Sequence, residues 1–461
     1  MKRIIYISLI FFLGASILLS AYTNTNKERV SLKLHIESIV VDSHNDTMMK
    51  TLDENTWLPI LDIRKNTDLH IDIPKLRAGN IKVSYFAAYS SAFYGRPNTS
   101  ASRTLALLNA LYYTEKNNED VFKIVKTYNE LEKAVLGKKI AAVPTIEGAY
   151  SFTKDNSRDL LKQYYDLGVR AIGFTWNYSN ELAEGLYGSF GDKDGTLSPK
   201  GLTSLGKDMV RDLNDLGIII DVSHLSQDSF YDVIGLTRSP IIASHSGAIS
   251  VFEHARNLTD DQLLKIKENN GVVGLVYHEE FVNGEGTSYV KNLVDHMDYM
   301  VNLIGIDHVG LGSDFDGARL PKDLEDSSKV YRITDELVKR GYRDEDIKKI
   351  LGKNHLRVYK ENEYNMAEVK KNENLKITPY FNMGESLSKD IEVLSARVNG
   401  NTENIKFRGL INGIEKKVEL RGDKLTIYLD EDLTEKFYVV SFEATDENGS
   451  SHRETRIINI S

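Results

Sequence analysis

Between residues 37 and 314 one pattern repeats eight times: a short apolar run, often β-branched, then a longer stretch with helical periodicity. The runs read "SIVVDSH", "IKVSYFAAY", "KIAAVPTIEG", "VRAIGFTWN", "GIIIDVSH", "PIIASHS", "GVVGLVYH" and "HVGLGSDFDG". Several are apolar on both faces, as strands covered on two sides must be. The intervening segments "SRDLLKQYYDLG", "PKGLTSLGKDMVRDLNDLG" and "TDDQLLKIKENNG" each end in glycine, the residue that commonly follows a helix C-terminus. Eight such units predict an α/β fold of the (β/α)8 TIM-barrel type. A doubly wound open sheet is the competitor, but nothing in that architecture calls for eight units. Ser328 to Asn362 then reads as closing helices.

The flanks differ in character. After about Glu373 come short alternating runs split by turn signals, among them "IEVLSARVNG", "KLTIYLD" and "EKFYVVSFEAT". They predict a small all-β domain, most simply a sandwich. The ending "FEATDENGSSHRETRIINI" resembles the last hairpin of bacterial immunoglobulin-like modules. At the other end two basic residues precede an uncharged, largely apolar run from Ile4 to Tyr22, the order of an export signal and nearly long enough for an uncleaved membrane tether. "LLSAY" resembles a lipoprotein signal but has Tyr22 where the lipidated cysteine would stand, so lipidation is unsupported. The expected organisation is therefore a signal peptide or anchor at 1–22, a barrel at 28–370 and a β-sandwich at 374–461. The expected location is outside the cytoplasm, secreted or associated with the cell envelope.

Composition narrows the chemistry. With 461 residues, 41% apolar and 27% charged, the chain is ordinary for a multi-domain globular protein. A net charge of −9 argues against a nucleic-acid partner. Loss of residues 1–22 would take Lys2 and Arg3 with it and leave about −11. The chain has no cysteine, which excludes disulfides, zinc–thiolate sites and cysteine nucleophiles, so any metal must be held by nitrogen and oxygen.

The C-terminal ends of barrel strands carry function in this fold. The first candidate strand ends in His44 and Asp46, the third in Glu147, the fifth in His224, the sixth in His245 and the eighth in Asp314. Each has an ordinary structural alternative. A lone histidine after a strand can be a hydrogen-bonded loop residue. Asp46, Ser43 or Asn45 could cap a helix, Glu147 could be a turn carboxylate, and Asp314 and Asp316 could form an Asx-turn. Their coincidence at five of eight strand ends favours a shared cation. Three imidazoles and three carboxylates suit zinc or a similar divalent ion, and are numerous enough for two ions sharing a carboxylate.

These segments also resemble a known family. "DSHNDT", "DIPKLRAGNIKVSYFAAY", "TIEGAY", "LGVRAIGFTWNYSN", "GIIIDVSHLS", "ASHSGAISVFEHARNLTDDQL" and "HVGLGSDFDG" occur in the order found in the membrane or renal dipeptidases, zinc peptidases of the amidohydrolase-like barrel class. The resemblance spans about residues 36–362. It implies that His44 and Asp46 hold one zinc, that His224 and His245 hold the other, and that Glu147 bridges them. It further implies that Asp314 handles protons at the site and that Arg256 grips the substrate's terminal carboxylate. One departure stands out: Trp176 occupies the place of a substrate-binding histidine of animal members. The role of that histidine must pass to Asn177, to a metal or to nothing, while Trp176 can wall the pocket.

The function expected is binuclear-zinc hydrolysis of dipeptides, including ones with a C-terminal D-residue, by a metal-bridging hydroxide. Two alternatives stay open at this point: another binuclear hydrolase acting on N-acyl amino acids, lactams, lactones or phosphoesters, and a tethered binding protein whose β domain does the work. A homodimer is compatible with the sequence.

Overall fold

The computed structural model describes residues 29–95, 97–188, 200–367, 372, 375–429 and 433–461. The apolar run of residues 4–22 lies outside the described residues. Among those described, no helix is long and apolar enough to cross a membrane.

All eight expected runs form strands: β1 (Val40–Asn45), β2 (Ile81–Tyr89), β4 (Ile140–Glu147), β5 (Ala171–Gly173), β6 (Ile219–Asp221), β7 (Ile242–Ser246), β8 (Val272–Leu275) and β9 (Val309–Leu311). They pair in parallel in that order. A short side strand, β3 (Phe122–Ile124), pairs with β4 outside this path and has no counterpart in the expected set. The ring closes where β9 returns to β1. There Asp46 N–H donates to the Phe315 carbonyl (2.8 Å) and Asp314 N–H to the His44 carbonyl (3.1 Å). The result is a nearly closed barrel with helices outside it.

The floor of the barrel is apolar. Val41, Val83, Val143, Ala171, Ile219, Ile242 and Val272, drawn from the N-terminal ends of the strands, share one cluster with Leu356, Val358 and Tyr359. The latter three belong to the closing helix Asn354–Tyr364, which plugs that end. The opposite rim, at the strand C-termini, is where polar side chains collect.

The C-terminal region folds into two sheets. One has the order β10 (Lys376–Pro379), β12 (Val393–Asn399), β16 (Lys424–Tyr428), β15 (Val418–Arg421). The other runs β11 (Glu385–Leu387), β18 (Ser451–Ile460), β17 (Phe437–Thr445), β13 (Lys406–Ile411), β14 (Ile414–Lys416). All pairings are antiparallel except β11 with β18. Leu394, Ala396, Leu425 and Ile427 meet Val440, Phe442, Ala444 and Ile458 between the sheets.

Strand β17 departs from the alternation expected of a half-exposed sandwich strand, because eight of its nine residues are buried. Its second face lies against the barrel, where Phe437 and Val439 join the main core. Around them the barrel helix Ser157–Asp166 makes polar contacts with the sandwich. Asp166 accepts from Arg453 Nη2 (3.0 Å) and Thr455 Oγ1 (2.7 Å), Asp159 accepts from Arg408 Nη2 (2.6 Å), and Gln163 Oε1 accepts from Gly413 N–H (2.7 Å).

Candidate active site

The rim brings together side chains that are far apart in the chain. His44, Asp46, Glu147, His224 and His245 are all buried at the strand C-termini. Glu147 ends the regular ladder of β4, paired with Tyr89 and Gly173. The other positions are irregular. His44 lies in a register shift between Asp42 and Asn45, and His245 in one between Ala243 and Ser246. Such bulges re-aim side chains at a barrel rim. His224 (φ 68°) and Asp314 (φ 63°) take left-handed backbone, which costs a non-glycine residue about 1–3 kcal/mol and clusters at functional sites. Local propensity does not favour these conformations; the surrounding fold imposes them.

Glu147 sits at the centre. Its Oε2 is 3.5 Å from His44 Nε2, while its Oε1 is 2.9 Å from His224 Nε2 and 3.6 Å from His245 Nε2. His44 Nε2 is 3.7 Å from Asp46 Oδ2, and the two Nε2 atoms of His224 and His245 are 2.8 Å apart. His44 Nε2 and Asp46 Oδ1 are buried with no hydrogen-bond partner. A group without a partner in a dry site is costly. The alternative role for Asp46 fails as well: it stands at the N-cap of the helix Thr47–Lys50, yet its side chain makes no cap bond.

This donor set fits cations. Ligands each about 2.0–2.2 Å from a tetrahedral ion lie roughly 3.3–3.6 Å apart. The 3.5–3.7 Å separations around His44 are too long for hydrogen bonds and close to that spacing. His44, Asp46 and Glu147 form one candidate ligand group, and Glu147, His224 and His245 form another.

Burial and mutual proximity shift the charge states of these groups strongly. Burial opposes ionisation of Glu147, but His44 and His224 outweigh it and hold the carboxyl well below the usual carboxylate range. Burial, with Arg256 adding to it, pushes His224 down to about 4. His245 is driven well below the usual imidazole value by burial and by His44 and Arg256. Burial works against charging His44, yet Glu147 and Asp46 raise its pKa well above that value. Asp314, beside Asp46, is raised well above the carboxylate range by burial first and by Asp46 second.

A cavity of about 400 Å³ opens over the cluster. Its lining includes Tyr89, Trp176, Tyr187 and Met49 together with Arg256, His254, His278 and Phe281. Trp176 is half-buried and meets Tyr89 and Phe93 edge-on, 5.5 and 5.7 Å between centroids. Asn177 Oδ1 is 2.9 Å from His224 Nδ1. Arg256 is only 5% exposed, donates from Nη2 to the His245 carbonyl (3.1 Å) and has no hydrogen-bond partner at Nε. It is not the surface residue its neighbourhood "LTDDQ" would allow. Asp316 keeps a structural role, with Oδ2 accepting from Thr47 Oγ1 (2.6 Å) and Oδ1 from His70 N–H (2.7 Å). Every expected site residue thus reaches this one rim.

Comparison with known proteins decides the family. Residues 28–373 match the model of the membrane dipeptidases, peptidase family M19. The chain belongs to that family. An uncharacterized dipeptidase of Schizosaccharomyces pombe is 32% identical over 340 residues, covering 70% of this chain and 80% of the relative. A second dipeptidase of that organism is 30% identical over 344 residues, with coverage of 70% and 81%. A crystal structure of a metallopeptidase from Rhodobacter sphaeroides, bound to a phosphinate mimic of L-Ala-D-Ala, superposes with a TM-score of 0.62 at 26% identity, covering 71% of this chain and all of that one. As a member of the membrane dipeptidase family, the protein is a metallopeptidase-type hydrolase of peptide bonds.

Some residues of the site carry no signal on their own in the sequence. The stacked pair His254 and His278 on Phe281 belongs to loops whose approach depends on the closed ring. The serines beside the rim histidines and Asp314 did have a signal. His44, His224, His245 and Asp314 each follow a serine, in "DSH", "VSH", "ASH" and "GSD".

Proposed function

We propose that the protein is a binuclear-zinc dipeptidase working outside the cytoplasm. The carrying observation is the position of Glu147, one oxygen facing His44 and the other facing His224 and His245. His44 and Asp46 would hold one ion, His224 and His245 the other, with the Glu147 carboxylate between them. Zinc bound there supplies an activated water and polarises the scissile carbonyl.

The rest is done by the chain's own groups. Arg256 offers a two-pronged donor to the free α-carboxylate of the substrate, which sets the C-terminal residue on the flank of β7 and β8. The N-terminal residue then lies toward Tyr89 and Trp176, whose rings exclude water from that side. Asn177, engaged by His224, steadies that imidazole and contributes its remaining amide to the substrate side of the pocket. Asp314, whose carboxyl is raised above the carboxylate range by burial and by Asp46, would take the proton of the attacking water and pass it to the leaving amine. A cavity of about 400 Å³ is in the range of small-molecule sites and has room for a dipeptide. The ligand of the Rhodobacter sphaeroides enzyme, a mimic of L-Ala-D-Ala, supports acceptance of a C-terminal D-residue. Export, or a membrane tether through residues 4–22, is supported by the basic start and apolar run before Tyr22.

The test is a panel of L,L- and L,D-dipeptides, N-acyl amino acids and C-terminally amidated dipeptides, assayed after chelation and after zinc return. Loss and recovery on free dipeptides is the expected result. Full turnover by the metal-stripped protein, or none on any dipeptide after loading, would overturn it. Cell fractionation with antibody detection checks the location.

A further inference from the structure

Beneath the two candidate ligand groups lies a small polar layer inside the barrel. Asp221, at the end of β6, is 6% exposed and points among groups that all donate to it. Its Oδ1 accepts from the backbone N–H of Ser223 (3.0 Å) and of Ser244 (2.9 Å), and its Oδ2 from the Ser244 hydroxyl (2.5 Å). The Ser244 oxygen is also 2.8 Å from His245 Nδ1. Room for this layer comes from glycine: a Cβ at Gly274 would stand 2.4 Å from both Ser43 Oγ and the Ser244 carbonyl.

Asp221 lies near His44 and His245 and so resembles a third ligand group. Both its oxygens are already engaged by three donors, which makes it a support for a ligand. We infer that Asp221, acting through the Ser244 hydroxyl, is a positioning residue that fixes the tautomer of His245. The inference rests on the reading of His245 as a metal ligand, and the logic is one of counting protons. A carboxylate can only accept, so the single Ser244 hydroxyl proton goes to Asp221 Oδ2. The hydroxyl oxygen must then accept; Ser223 Oγ stands 3.3 Å from it, but His245 Nδ1, at 2.8 Å, can face an accepting oxygen only through a hydrogen of its own. That leaves the lone pair on Nε2, the atom facing His224 and Glu147. Carboxylate support of a ligating imidazole is a general device of metal sites; here a serine is interposed, and the relay crosses from β6 to β7. The same arrangement holds the ring in place, since Ser223 Oγ accepts from the backbone N–H of His245 (3.2 Å).

The experiment compares wild type with Asp221→Asn, Ser244→Ala and Ser244→Thr. Long-range ¹H–¹⁵N NMR on metal-free, ¹⁵N-histidine-labelled protein reads the tautomer directly. Wild type and Ser244→Thr should show His245 with Nδ1–H. Asp221→Asn should show Nε2–H, because the new amide donates to the Ser244 oxygen and turns its proton toward the imidazole. Zinc competition with a chromophoric chelator should give binding about 10–100-fold weaker in Asp221→Asn and Ser244→Ala. Unchanged tautomer and affinity in Asp221→Asn and Ser244→Ala would overturn the proposal, as would an Nε2–H tautomer in wild type. A wild-type protein that takes up no zinc would instead sink the metal reading of the site, and the tautomer in metal-free protein would still decide this inference. If Asp221→Asn does not fold, the pair Ser244→Ala and Ser244→Thr carries the test.

Discussion

Glu147 is the group that both halves of the site face, so its loss is felt twice. Glu147→Gln keeps the volume and removes the charge that three imidazoles surround. Bound zinc, measured by elemental analysis, should fall below two per chain, and kcat by at least about a hundredfold. Arg256→Ala acts differently. It should cost about 2–3 kcal/mol in kcat/KM on free dipeptides and almost nothing on C-terminally amidated ones, which kinetics on matched pairs will show. Glu147 was legible in the sequence as a carboxylate placed just after an apolar run, and Arg256 only through the family resemblance. Asp221 was harder to see. A buried carboxylate inside "IIIDVSH" reads as part of the strand until its three donors are known. His254 and His278 could not be placed at all from spacing, since what joins them is Phe281 between their rings.

Among the elements, the regular ones were the legible ones. Eight strands with β-branched runs and glycine-ended helices announce themselves through period and length. β3 was missed because three residues pairing only with β4 leave no period to detect. β17 was found but its surroundings were not. Burial on both faces follows from the barrel behind it, a fact of tertiary packing. The helix Asp260–Glu268 shows how an element serves the site. Its capping box joins Thr259 and Gln262 and anchors the loop that carries Arg256. Thr259→Ala should cost about 1 kcal/mol in chemical denaturation. The closing helix Asn354–Tyr364 carries a pH dependence. His355, buried with Nε2 against the Leu311 carbonyl (3.1 Å), is pushed down to about 4 by burial. An unfolded imidazole takes its proton near pH 6.5, so between these values the unfolded chain binds more protons and acid favours unfolding. Stability should be full above about pH 6.5 and fall by up to about 3 kcal/mol toward pH 4. His355→Gln should flatten that slope in thermal melts across the window.

At the scale of the whole molecule, barrel and sandwich share a core through Phe437, Val439 and Ile457. Polar pairs reinforce it, chiefly Asp166 with Arg453 and Thr455. Two regions so joined should melt together. Calorimetry should show one endotherm for residues 29–461, and Asp166→Ala, which leaves the partly buried Arg453 with Glu443 (3.4 Å) alone, should destabilise that single transition by about 1–2 kcal/mol. Two separate endotherms would contradict the shared core. The meeting of β9 with β1 has its own consequence. The hydrogen bonds that shut the ring run between His44, Asp46, Asp314 and Phe315, the same stretches that carry the proposed ligands and the proposed proton-handling acid. About 270 residues separate its two sides. A nascent polypeptide leaving the ribosome therefore owns His44 and Asp46 long before the ring that places them can close, which waits for nearly the last barrel segment.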